Sequence, residues 1–204
     1  MPETIDLEQK KHALADAPVE DIILRRWSPR AFANKPVSDA DLKVIFAAAS
    51  WAASSFNEQP WRFLVGRKGD ETWNKIFQAL MPFNQSWAGS APVLYASFAK
   101  HTFSHNGLPN RVAMHDVGAA SATLALQATA LGLHTHGMAG FDGEALRAAF
   151  GIPDDFEPVA VWALGYLGDP GGLPEKYREM EFQPRTRKPL REFVFSEWEQ
   201  AAKF

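Results

Sequence analysis

The strongest constraint on this chain of 204 residues is one run of small and apolar residues, VGAASATLALQATALGL, at positions 117–133. Four polar residues interrupt the run: Ser121, Thr123, Gln127 and Thr129. A membrane-spanning helix needs about 20 consecutive apolar residues, so we expect a buried helix of a soluble protein, from about 111 to 131 and ended by Gly132. Its small side chains predict close packing against another helix, within the chain or across a subunit interface.

Composition and charge narrow the class of protein. Hydrophobic residues make up 46% and charged residues 22% of the chain, which is close to the globular average. The net charge of −3 disfavours a nucleic-acid-coating surface, and the lack of cysteine excludes a disulfide scaffold, thiol catalysis and Cys-ligated metals. The polar N-terminus lacks the apolar core of a secretory signal. We therefore expect one cytoplasmic domain over 1–204, with 1–15 as a flexible or helical extension, that binds neither nucleic acid nor membrane.

The order of the expected elements predicts the fold class. Apolar runs predict strands at 61–67, 92–99 and 158–168, the last of them central, and a short edge strand in EFVF near the C-terminus. Apolar spacing and capping residues predict helices at 18–26, from Ser38 onward, at 71–81 and at 142–150. Strands and helices are mixed without a regular βαβ rhythm, which favours an α+β fold over a doubly wound one.

Familiar catalytic and nucleotide-binding signatures are absent from the sequence. There is no P-loop, no G-x-G-x-x-G, no H-E-x-x-H and no G-x-S-x-G. His134 and His136 are spaced to share one side of a strand as metal ligands. No further ligand stands at suitable spacing, so we expect polar residues at a turn and no metal site.

Two basic segments at opposite ends of the chain are candidates for anion binding. The first, RRWSPRAF at 25–32, contains Arg26 and Arg30, and the second, PRTRKP at 184–189, contains Arg185 and Arg187. The last two alternate as on a strand and would then point the same way. Each segment alone is typical of a solvated surface. If the four arginines converge, their guanidinium forks would bind a dianionic phosphate.

Two further segments offer neutral groups. SSFNEQPW carries hydrogen-bonding side chains beside two aromatic residues, at Ser54, Ser55, Asn57 and Gln59. In GMAGF, Gly137 and Gly140 let the backbone approach a flat ligand closely. Either segment alone is an ordinary loop.

Together the four segments resemble the motifs of the FMN-dependent nitroreductase family, over nearly the whole chain. RRWSPRAF resembles the opening R-x-S-x-R/K-x-F motif of the family, and SSFNEQPW is similar to its S-S-x-N-x-Q-P-W loop. GLHTHGMAGFD resembles the segment after the central helix, and PRTRKPL resembles the C-terminal basic motif. The resemblance implies a central, mainly antiparallel sheet surrounded by helices, and an intertwined homodimer with FMN at the subunit interface.

The resemblance also implies which residues bind the cofactor. The FMN phosphate and ribityl chain would be bound by Arg26, Ser28, Arg30, Arg185 and Arg187, with Trp27 as a candidate pocket wall. Ser54, Ser55 and Asn57, with Gln59 in the same loop, would reach the flavin of the partner subunit. The isoalloxazine would lie along Gly137, Met138, Ala139 and Gly140, with an amide near Ala139 or Gly140 facing N5, and Asn84 would approach it.

Two positions depart from the family pattern. Ala53 stands where many members have Pro, and Ala139 stands where the enteric-type enzymes have a Glu beside the flavin ring. The substrate preferences of those enzymes therefore do not carry over to this chain.

The implied activity is hydride transfer from NADH or NADPH, through flavin N5, to a nitroaromatic, quinone or related electrophilic acceptor in a ping-pong mechanism. FMN carries this chemistry, so no catalytic side chain is demanded. Two alternatives stay open. The protein could bind, store or sense flavin without turnover, or it could perform another reaction of the family: dehalogenation, flavin fragmentation or azoline oxidation.

Overall fold

A four-stranded antiparallel sheet forms the centre of the structure, a computed structural model that describes residues 2–203, with side chains from residue 7 onward. Its strands are β1 (Trp61–Arg67), β2 (Val93–Lys100), β3 (His134–Met138) and β4 (Phe156–Gly165), in the order β1-β2-β4-β3. Neighbouring strands pair antiparallel throughout, with a bulge in β2 between Ser97 and Phe98. The predicted antiparallel sheet, and β4 as an interior strand, are confirmed.

Eight α-helices surround the sheet in the described part of the chain. They are α1 (Pro2–Lys11), α2 (Asp21–Arg25), α3 (Asp39–Ala49), α4 (Glu71–Ala79), α5 (Pro82–Ala88), α6 (Ala113–Ala130), α7 (Gly143–Phe150) and α8 (Glu175–Phe182). Ser38 and Asp142 cap α3 and α7, because each side chain accepts a hydrogen bond from the backbone three residues on. Gly132 and Gly151, at φ +71° and +62°, follow α6 and α7.

Each face of the sheet is covered by its own hydrophobic core. Leu94, Ala96 and Phe98 of β2 pack with α4, α5 and α7, whereas the alternate residues Val93 and Tyr95 pack with α3 and α6. The expected buried helix is α6, which packs against α3 in the same chain. No helix among residues 2–203 is long and apolar enough to cross a membrane.

Several expected elements differ from the structure. The first predicted helix is shorter, because Glu20 takes the N-cap position of α2 and leaves Pro18 outside it. Helices α5 and α8 were not predicted, and the sequence of α8, EKYREMEF, has no apolar stripe that would indicate it. The EFVF segment does not border the main sheet. Its Phe195 begins β5 (Phe195–Glu197), which pairs with β6 (Gln200–Ala201) in a separate hairpin.

Candidate functional site

A cleft of about 220 Å³ brings together the four predicted arginines and one lysine. The cationic lining residues are Lys11, Arg26, Arg30, Arg185 and Arg187. Trp27 and Ser28 also line the cleft, and Met180 and Glu181 complete the lining. The residues come from the end of α1, the loop after α2, and the chain from the end of α8 onward, so segments far apart in sequence lie together here.

The arginines of the cleft repel one another. Burial, together with the charge of Arg187, lowers the pKa of Arg26. Burial, with the charges of Arg26 and Arg187, lowers the pKa of Arg185 as well. Among the described residues that line the cleft, Glu181 is the single carboxylate. Partly desolvated guanidinium groups that repel neighbouring cations, as Arg26 and Arg185 do, form a site where an anion is stabilised.

Three of the arginines differ in whether they bond to distant or to neighbouring residues of the chain. Arg185 donates from Nη1 to the carbonyls of Lys11, at 2.8 Å, and Leu24, so it holds the two ends of the chain together. Arg26 donates to Ser28 Oγ at 3.3 Å, and Arg187 donates to the carbonyl of its neighbour Thr186. Residues 184–189 are not a strand, so the reason given for Arg185 and Arg187 pointing the same way is wrong, although both line the cleft.

Arg30 contacts helix α8 through both its main chain and its side chain. Its backbone N–H donates to Glu181 Oε1 at 3.0 Å, and its guanidinium Nη1 lies 3.8 Å from the same oxygen. The guanidinium carbon lies 5.4 Å from the ring centroid of Tyr177 and 5.9 Å from that of Trp87, within cation–π distance of both. Glu181 is only 1% exposed, and burial raises its pKa.

Sequence reasoning missed Lys11, Tyr177 and Glu181. Lys11 is buried, and its Nζ donates to the carbonyls of Gln183 at 2.7 Å and Met180 at 3.4 Å, the carbonyls at the C-terminal end of α8. Burial lowers the pKa of this lysine. All three residues lie on polar helices at the chain ends, and such residues are typical of a solvated surface, so the sequence carries no signal for them.

Strand β3 is joined to the loop of the cleft through its middle residue, His136. Its Nδ1–H donates to the carbonyl of Pro29 at 2.8 Å, and its ring centroid lies 4.5 Å from that of Trp87. Burial, with smaller contributions from the charges of Arg30 and Arg26, lowers the pKa of His136 to about 4. The ring is therefore neutral near pH 7, and it ties the loop of Pro29 and Arg30 to the strand that leads into GMAG.

Both histidines of this region lie on β3 rather than at the expected turn. His134 Nε2 pairs with Glu8 Oε1 at 3.2 Å, so the two histidines have different partners. Among the described residues, no group of three or more His, Asp or Glu side chains is arranged to hold a metal ion.

The GMAG segment is a backbone surface that depends on its glycines. A Cβ on Gly140 would lie 2.3 Å from the ring of Phe83, and one on Gly137 would lie 2.9 Å from the ring of Trp162. Asn84 is buried and donates from Nδ2 to the Gly140 carbonyl at 2.9 Å. Of the residues between, Ala139 is exposed, whereas the Met138 side chain belongs to the hydrophobic core.

The loop SSFNEQ does not line the cleft. It follows α3, where Ser55 N–H donates to Asp116 Oδ2 on α6 at 3.0 Å and Gln59 N–H donates to Ser54 Oγ at 3.0 Å. The loop adopts left-handed backbone angles at three non-glycine residues, with φ of 53°, 54° and 51° at Phe56, Asn57 and Gln59. Such conformations persist only where surrounding bonds enforce them, and they cluster at functional sites.

Comparison with known families agrees with the motifs. The model of the Nitroreductase family matches residues 23–82 and 70–166, which is more than half of the chain. This chain belongs to the Nitroreductase family. The resemblance inferred from the four motifs is thereby confirmed.

Individual relatives cover much of the chain. An uncharacterized 15.4 kDa protein of Mycolicibacterium smegmatis is 38% identical over 143 residues, which span 66% of this chain and 95% of that protein. A protein of Archaeoglobus fulgidus with the provisional name NADH dehydrogenase/NAD(P)H nitroreductase is 29% identical over 152 residues, or 72% of this chain and 84% of its own length.

Solved structures share the fold. A crystal structure described as an oxidoreductase containing FMN superposes with a TM-score of 0.86 at 39% identity, covering 91% of this chain and 95% of the other. A Desulfovibrio desulfuricans protein, provisionally described as a nitroreductase and solved in complex with FMN, gives a TM-score of 0.68 at 26% identity, with coverage of 90% and 98%. The α+β fold expected from the sequence is confirmed.

Proposed function

We propose that this protein is an FMN-dependent oxidoreductase that uses NADH or NADPH to reduce nitroaromatic, quinone or related electrophilic acceptors. The observation that carries the proposal is the convergence of four arginines in one cleft whose single lining carboxylate, among the described residues, is Glu181. The bond from His136 to the Pro29 carbonyl ties the loop of this cleft to the strand that leads into GMAG. The 39% identity to a structure described as an oxidoreductase containing FMN supports the choice of cofactor.

The residues of the cleft and of GMAG fit the two chemically distinct parts of FMN. Arg26, Arg30 and Arg187 offer fork-shaped donors that match the oxygens of a phosphate. Gly137 and Gly140 present backbone and no side chain, because the rings of Trp162 and Phe83 fill the space that a Cβ would take. We propose that the flat ring of FMN lies along this backbone. The hydrogen bond from His136 to the Pro29 carbonyl joins the two regions, so one ligand with a charged end and a flat end suits both.

Each part of the chain then has a definite task. The arginines bind and orient the phosphate, and Ser28 adds a hydroxyl beside them. The Gly140 carbonyl accepts hydrogen bonds from Asn84 and Met81, which anchor the end of the GMAG segment. On this proposal, the neighbouring Ala139 and Gly140 amides are donors for negative charge on the ring. Bound FMN supplies reversible two-electron redox chemistry, which links NAD(P)H oxidation to acceptor reduction.

The loop of Ser54, Ser55, Asn57 and Gln59 is proposed to complete the flavin site of a second copy in an intertwined homodimer. The loop holds a strained conformation and does not line the cleft of its own chain, which supports a task elsewhere. Phe56 is 83% exposed and Trp51, at the end of α3, is 87% exposed. Large apolar side chains exposed together are typical of surfaces that a partner covers.

Anaerobic spectroscopy of the purified protein tests the proposal. We expect a yellow protein, or a colourless one that FMN reconstitutes, whose flavin absorbance is bleached by NADH or NADPH and restored by a quinone or nitrofuran. Parallel lines in double-reciprocal plots are expected for a ping-pong reaction. A yellow protein that neither nicotinamide bleaches would contradict the oxidoreductase and favour flavin storage or sensing. Failure to bind FMN would overturn the whole proposal.

A further inference from the structure

Helix α8 contacts Arg30 with two side chains that share one face. Tyr177 and Glu181 are four residues apart, so their side chains are neighbours on the helix surface. The Tyr177 ring lies 5.4 Å from the Arg30 guanidinium carbon, and Glu181 Oε1 accepts the Arg30 backbone N–H at 3.0 Å. One helix therefore fixes both the main chain and the side chain of this arginine.

Helix α8 is itself fixed at both ends. The Tyr177 hydroxyl donates to the carbonyl of Phe83 on α5 at 3.0 Å, one residue before the asparagine that binds Gly140. At the other end, Lys11 Nζ donates to the Gln183 carbonyl at 2.7 Å. Arg30 is thus held by an element that also contacts the neighbourhood of the GMAG segment.

Burial of the Glu181 carboxylate is unfavourable unless nearby groups compensate its charge. A carboxylate that is 1% exposed loses its hydration, and such a group is retained where nearby cations compensate it. Arg30 and Lys11 supply those charges. Removing either the charge of Glu181 or the ring of Tyr177 leaves the Arg30 guanidinium with fewer restraints on its direction.

We propose that Tyr177 and Glu181 are positioning residues that hold the Arg30 guanidinium toward the cleft, and that α8 thereby sets how strongly this chain prefers FMN over riboflavin. The proposal rests on the proposed function, because it takes the phosphate of FMN as the anion of the cleft. The family match ends at residue 166, before α8 begins, so the match itself assigns no role to these side chains.

The preference for phosphate is measured as the dissociation constant for riboflavin divided by that for FMN, so weaker FMN binding lowers this ratio. FMN and riboflavin are each titrated into the flavin-free protein, with quenching of flavin fluorescence as the readout. For Tyr177→Leu and Glu181→Gln we expect FMN binding to weaken about three- to tenfold and riboflavin binding to change less than about twofold. Tyr177→Phe keeps the ring over Arg30 and loses the bond to the Phe83 carbonyl, so it is expected to weaken FMN binding less than Tyr177→Leu does. The exposed Glu179→Gln, on the same helix, is the matched control.

An Arg30→Ala background separates positioning from other effects. If the two residues act through Arg30, Tyr177→Leu and Glu181→Gln change the ratio no further there. An unchanged ratio in the single variants would overturn the proposal, because the two side chains would then have no effect on phosphate binding. An increased ratio in Glu181→Gln would also overturn it, because Glu181 would then repel the phosphate. Equal weakening of both ligands would also overturn it, because that result indicates a purely structural role. A parent protein that does not prefer FMN would instead contradict the proposed function itself.

Discussion

The arginine cleft and the SSFNEQ loop present hydrogen-bonding groups in opposite ways. The cleft gathers charged side chains from both ends of the chain, and Arg30 and Arg185 are bound there by partners more than 150 residues away in sequence. The loop is local and neutral, and a carboxylate of α6 and its own Ser54 hold it in a strained form. The cleft therefore depends on contacts between distant parts of the chain, whereas the loop depends on nearby ones and does not line the cleft.

This contrast predicts that mutations in the two regions change the affinities for FMN and riboflavin differently. Replacing both Arg26 and Arg187 with Ala is expected to have the largest effect, because each charge-assisted hydrogen bond to a phosphate contributes about 1.5–3 kcal/mol. FMN binding should weaken by about 100-fold or more, with little change for riboflavin. Fluorescence titration measures both, and the exposed pair Arg178→Ala with Arg191→Ala is the control. Undiminished FMN binding would mean that the cleft holds no phosphate.

Lowering the pH is expected to lower the free energy of unfolding through His136, which is bonded to the loop of the cleft. The folded protein keeps His136 neutral down to about pH 4, whereas the unfolded chain takes up the proton near pH 6.5. Lowering the pH through this window therefore favours unfolding, by about 3 kcal/mol in total. Urea unfolding near pH 7 and near pH 4.5 measures the loss, and His136→Gln, which keeps a donor for the Pro29 carbonyl, should lose less. Equal losses in parent and variant would show that another group dominates.

Asp116→Ala is expected to have the smallest effect of these three predictions. It changes the SSFNEQ loop and leaves the cleft as it is. It removes the acceptor of Ser55 N–H, which should lower the free energy of unfolding by about 2 kcal/mol. If the loop contacts the flavin ring of a partner, affinity for FMN and riboflavin should fall by the same factor. Thermal melting and the two titrations test this, with the exposed Asp39→Ala on α3 as control. A loss of affinity for FMN but not for riboflavin would contradict the contrast, because the loop would then act on the phosphate as the cleft does.

Local signals explain which parts of the fold were predictable. β1 occupies the predicted 61–67, since Pro60 precedes an apolar run and a turn follows it. α3 begins after Ser38 because that side chain caps it. The arginines of the cleft were found from motifs, whereas Tyr177 and Glu181 were not. Their roles depend on packing between residues 151 positions apart, as in the bond from Arg30 to Glu181, and no pattern along a polar helix reports such a contact.

Hydrogen bonds from Arg185 to the carbonyls of Lys11 and Leu24 span up to 174 residues of sequence. Because a ribosome makes the N-terminal end first, the loop with Arg26 and Arg30 exists long before the segment with Arg185 and Arg187 does. On the proposed function, cofactor loading is therefore a step that follows synthesis. On the same proposal, a chain cut short before residue 185 carries the first motif without the second, and it is expected to bind FMN more weakly than the full chain.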